Sequence, residues 1–174
     1  YDKGRFLLAY RISLFFITAF TLLSVIYIIN DSNAMLPILL TDIVVVSAFV
    51  HLKITKNFQP IFWVYTISGT LIINFSLNYV LILPHYVDFI WIIVIVSLAF
   101  IGLGYKYGFL FLIFNIVGIA YFYCFTLNHH IEVLEAKHPL VLLGDFIEVT
   151  FALFIIGYLL MEFVRYQKHT EEVL

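Results

Sequence analysis

Long apolar runs separated by short polar breaks decide what this chain can become. Several of them exceed the roughly 20 residues that an α-helix needs to cross a bilayer. Six spans follow from the pattern, at residues 6–29, 36–54, 60–83, 88–103, 109–127 and 139–163. A transmembrane β-barrel would alternate apolar and polar residues in segments of about ten. Here the apolar residues are continuous, so helices are expected. Only 11% of the residues are charged, against about 25% in an average soluble domain. The expected fold is an all-α integral membrane bundle of six transmembrane helices, packed as antiparallel hairpins.

The prolines agree with these limits. Pro37, Pro60 and Pro139 sit near proposed helix starts, where a missing N–H costs nothing, and Pro84 falls in a connection. The spans are therefore expected to be unkinked. Polar breaks are expected at residues 30–35, 55–59, 84–87, 104–108 and 128–138. Trp63, Trp91, Tyr10, Tyr27, Tyr105 and Tyr107 fall near span ends, as interfacial aromatic residues do.

Charge sets the orientation. Lys3, Arg5, Arg11, Lys53, Lys56, Lys106, Arg165 and Lys168 fall at one set of span ends, and only Lys137 at the other. The positive-inside rule places the first set, with both termini, in the cytoplasm. This makes the chain a multi-pass membrane protein with its N- and C-termini on the cytoplasmic side. The chain opens at Tyr1 without a Met or a signal peptide, and it reads as part of a longer protein. The lone Cys124 lies in a span, where it is expected to pack and cannot form an intrachain disulfide.

The opposite half of the bundle is the candidate site. Asp42 and Asp145 each lie six residues into a span, about 9 Å deep at ~1.5 Å per residue. Asn78 has a similar depth; Glu148 and Asn74 lie about one turn deeper. An ionised side chain in hydrocarbon costs about 2.5–3.5 kcal/mol on insertion scales. Three carboxylates must therefore face the interior, be protonated, or meet a cation. No Lys or Arg lies at that depth, but His85, His129, His130 and His138 sit on the rim above. Imidazole with carboxylate suits a transition metal ion such as Zn, Cu or Fe. The expected metal ligands are drawn from His85, His129, His130, His138, Asp42, Asp145 and Glu148, with room for two ions. The alternative for the acidic residues is a structural hydrogen-bond network with Thr41, Asn74 and Asn78.

Enzyme signatures are missing. The single His-His pair is not a set of HxxxH boxes, and neither HExxH nor a GxS serine with a membrane histidine occurs. No basic cluster suits nucleic acid. Gly69, Gly118 and Gly157 lack the proline partners of the broken helices found in transporters.

After residue 159 the chain continues without Gly or Pro. Leu160, Phe163, Gln167, Thr170 and Leu174 follow the 3-4-3-4 spacing of a parallel coiled-coil seam. With the short N-terminal Asp2-Lys3-Gly4-Arg5, the hairpin pattern and the turn at residues 102–108, this resembles bacterial membrane-associated sensory (MASE-type) domains. The resemblance implies signal input, a homodimer and a place in a bacterial cytoplasmic membrane. It also implies a signalling helix, residues 165–174, leading from the sensory domain of residues 1–164 to a nucleotidyl cyclase or histidine kinase. The expected function is that of a sensor with an outer metal site, not an enzyme in itself. The alternatives are a receptor for a small apolar ligand, with Tyr121, Tyr123, Phe125 and Phe151 around an aromatic pocket, or a metal-dependent membrane enzyme.

Overall fold

A computed structural model describes residues 2–30, 32–80 and 88–126, together with 151, 152, 155, 156, 159 and 163. Among the described residues all regular structure is helical. The helices are α1 (Asp2–Asn30), α2 (Ser32–Thr55), α3 (Gln59–Phe75), α4 (Asp88–Leu103) and α5 (Tyr105–Tyr121). Among the described residues four apolar segments are long enough to cross a membrane: Lys3–Ile28, Met35–Thr55, Gln59–Tyr79 and Tyr105–Thr126. The 16 residues of α4 reach about 24 Å, short of a hydrocarbon core of about 30 Å. Of the sixth expected span, the described residues are helical, and Ala152, Ile155 and Leu159 are buried.

Residue pairs fix the register. Tyr10 meets Phe49, and Thr21 meets Asp42, so α1 and α2 are antiparallel. Phe62 faces Gly102 and Ile95 faces Gly69, so α3 and α4 are antiparallel as well. Phe100 lies against Gly108 and Phe89 against Phe122, which makes α4 and α5 antiparallel. Trp63 contacts Tyr107, and Asn78 contacts Thr126, so α3 and α5 run parallel. Helix α3 packs on α2, α4 and α5. It also receives α1, since the Tyr65 hydroxyl donates to Ser13 Oγ at 2.6 Å.

The helices are apolar all round, so tertiary packing alone selects their buried faces. On α1 the buried stripe is Ala9, Ile12, Phe16, Ala19, Leu23 and Tyr27. Leu22, Val25 and Ile28 on the same helix are exposed, as lipid-facing residues are. Lipid is as apolar as Leu, so close packing and interhelical hydrogen bonds must hold the helices together.

Two expected breaks are shorter than the sequence suggests. Helix α2 begins at Ser32, within the expected loop at 30–35, and Pro37 therefore lies inside it. The Thr41 hydroxyl donates to the Pro37 carbonyl at 2.8 Å, the i−4 back-bond open to a threonine within a helix. The expected turn at 104–108 shrinks to Gly104, because φ 88° and ψ 175° are open almost only to glycine. Gly108 then joins α5, where an added Cβ would come within 2.5 Å of the Phe100 ring.

At their far ends both α3 and α5 widen into a π-helical turn, Ser76–Val80 and Phe122–Thr126. Tyr105 and Tyr107 are exposed as interfacial residues should be, but Tyr27 and Trp91 belong to the core. Cys124, expected to pack, is exposed. The connection at 84–87, the loop at 128–138, the start of the sixth span and the seam residues other than Phe163 lie outside the described residues.

Candidate functional site

Four helices line a partly open cavity of about 100 Å³. It runs from mid-bundle toward the end opposite the lysines. Phe16, Phe20 and Tyr27 come from α1, and Pro37, Thr41 and Val45 from α2. Tyr65, Ser68, Gly69 and Ile72 line it from α3, and Trp91, Ile95 and Leu98 from α4. Rings form its most rigid wall. Phe16 meets Tyr65 edge-on at 5.3 Å, and Phe20 lies 5.1 Å from Trp91. Such ring pairs add about 0.5–1.5 kcal/mol beyond their buried area.

The hydroxyls near this space are largely engaged by the protein. Ser68 donates to the Val64 carbonyl, and Thr41 to Pro37. Tyr65 donates to Ser13, which donates to the Ala9 carbonyl at 2.7 Å. A water needs two to four polar partners, so a cavity of this kind suits an apolar guest. An engineered apolar cavity of about 150 Å³ stays dry and takes benzene. The space here is of that order.

Behind the cavity, the other face of α3 carries a row of polar contacts with α5. Asn74 Nδ2 donates to Asn115 Oδ1 at 3.2 Å, and Asn115 Nδ2 to Thr70 Oγ1 at 3.3 Å. One level further, the Thr126 hydroxyl donates to Asn78 Oδ1 at 2.8 Å and joins the two π-helical turns. Among the described residues Asn74 Oδ1 accepts no hydrogen bond, and it rests against Gly118, whose lack of a side chain makes the space.

Of the expected metal ligands only Asp42 is described; His85, His129, His130, His138, Asp145 and Glu148 lie outside the described residues. Asp42 is half-buried and has the Thr21 hydroxyl 3.5 Å away, on α1. Among the described residues no three His, Cys, Asp or Glu side chains converge. Asn74 and Asn78, expected to share a layer with Asp42, turn to α5 instead. Tyr121, Tyr123 and Phe125 are exposed on the outside of the bundle, and none of them lines the cavity.

Asn115 was not singled out by the sequence reading, and Gly118 was read only as an isolated glycine within a span. Their signal was present, as an amide within an apolar run and a glycine one turn later. Compared with known proteins, the chain matches no family model, no curated protein and no solved structure.

Proposed function

We propose that this chain is a membrane-embedded sensory domain that admits a small, mostly apolar molecule between α1, α2, α3 and α4. The carrying observation is the ring-walled cavity, whose neighbouring hydroxyls largely bond within the protein. Phe16, Tyr65 and Trp91 belong to the same buried cluster as Ala152, Ile155 and Leu159. A guest that repacks those rings therefore has a short route to the last span. From there the helix at residues 165–174 would carry the change to a cytoplasmic cyclase or kinase in a dimer. A ligand shifts such an equilibrium only by its difference in affinity for the two states.

The two tryptophans make a direct test possible. In a Trp63→Phe background Trp91 is the sole tryptophan, and excitation at the red edge selects it over the tyrosines. Bromobenzene should quench it saturably, and Val45→Phe, which fills the cavity, should abolish the saturable part. Quenching that rises linearly with bromobenzene and ignores Val45→Phe reflects lipid partitioning and would end this reading.

A metal site on the same side is the second reading, favoured by Asp42. Asp42 is a carboxylate within a span, and among the described residues the Thr21 hydroxyl at 3.5 Å is the donor beside it, which leaves it able to meet a cation. Elemental analysis of untagged protein, beside a His85→Ala/His129→Ala/His138→Ala variant, decides it. Stoichiometric metal lost in the variant supports the site, and no uptake of Zn, Cu or Fe by either protein rules it out.

A further inference from the structure

At the lysine-bearing end, a cleft of about 450 Å³ opens between the start of α1 and the α2–α3 connection. Its walls are Lys3, Thr55, Lys56 and Asn57, and its apolar sides are Phe6 and Phe58. Two features set it apart from a generally basic surface. First, the connection is closed on itself. Lys56 N–H donates to the Leu52 carbonyl, Asn57 N–H to Thr55 Oγ1, and Gln59 N–H to Asn57 Oδ1. These backbone donors hold the loop, which leaves the ammonium groups to meet a ligand. Neither Lys3 nor Lys56 is held in an ion pair among the described residues.

Second, Lys56 occupies the left-handed position that ends α2, with φ 54°. Glycine is the usual residue there, and other residues are strained. A lysine in that position keeps its charge over the cleft at a cost in backbone strain. By contrast Lys53 lies over the Phe49 ring at 4.7 Å, and Lys106 is on α5; neither lines the cleft.

We propose that this cleft binds a phosphate group, with Lys3 and Lys56 as its cationic partners and Phe6 and Phe58 beside the carbon atoms attached to it. Basic recesses between helices at a membrane surface hold anionic head groups in this way. The apolar sides favour the phosphodiester of an anionic phospholipid; a soluble phosphate ester shares the chemistry.

The test is native mass spectrometry of the intact chain released from micelles doped with phosphatidylglycerol, with sn-glycerol 3-phosphate as the soluble probe. Lys3→Gln and Lys56→Gln should each weaken lipid retention about fivefold. Lys53→Gln and Lys106→Gln should change it less than twofold. Lys56→Gly separates binding from folding, since it relieves the left-handed strain: its thermal midpoint should hold or rise while retention falls. Retention that the soluble ester displaces, with the same sensitivity to variants, upholds the phosphate site with a soluble source. Retention of the lipid alone upholds it with a lipid source. Equal losses in all four glutamine variants would mean diffuse attraction to a basic surface and would overturn the proposal, as would full retention in Lys56→Gly.

Discussion

The two faces of α3 hold their neighbours by opposite means. Toward α1, α2 and α4 the helix offers Tyr65, Gly69 and Ile72, and leaves a cavity. Toward α5 it offers Thr70, Asn74 and Asn78, each bonded to a side chain of the α5 segment. In lipid there is little hydrophobic drive to collapse a void, so an apolar face can keep one. Amides are directional, and their alignment fixes the register of α3 against α5. One side of α3 thus keeps a void between its neighbours, and the other is held by directional bonds.

The sharpest way to break this contrast is to add a side chain at a glycine on each face. Gly118→Val drives a methyl group into Asn74, whose position is held by its bonds to Thr70 and Asn115. Unfolding in micelles should show a loss of about 3 kcal/mol, the upper range for overpacking. Asn74→Ala in the same chain should return much of it, and strictly additive losses would contradict the packing assigned to this pair.

Removing the amide without adding bulk is the next test. Asn115→Leu deletes the two cross-helix bonds and should cost about 1.5 kcal/mol, near the maximum measured for such bonds in a membrane. A neutral result would show that apolar packing alone holds the seam.

The smallest effect belongs to the cavity side. A Cβ at Gly69 would come 2.9 Å from Ile95 Cγ1, but Ile95 also lines the cavity and has room to turn. Gly69→Ala should therefore cost only about 0.5 kcal/mol, below the usual overpacking range. A cost equal to that of Gly118→Val would mean that the two faces are equally rigid.

Much of the scaffold was legible beforehand. The end of α4 at Leu103 agrees with the expected span, and the close of α2 at Thr55 falls within one residue of expectation. The breaks around Ser32 and Tyr105 were overdrawn. Polar and glycine-rich residues resemble loops in a hydropathy pattern, yet a single glycine in an unusual conformation reverses the chain at 104. At the site, Asn74 and Asn78 were recognised as one polar stripe, but their partners were not. Periodicity shows that two residues share a face, and it does not show which helix that face meets.

What the sequence determined alone is the solvent and the secondary structure. Uncompensated backbone groups are too costly in hydrocarbon, so long apolar runs must become helices. The placing of Lys3, Lys53, Lys56 and Lys106 at one set of span ends follows from the same alternation. Tertiary structure decided the rest. On helices that are apolar all round, nothing local distinguishes the stripe of Ala9, Phe16 and Tyr27 from the lipid-facing Leu22 and Val25. Only the fit of neighbouring helices makes that choice, and with it the location of the cavity, the amide seam and the phosphate cleft.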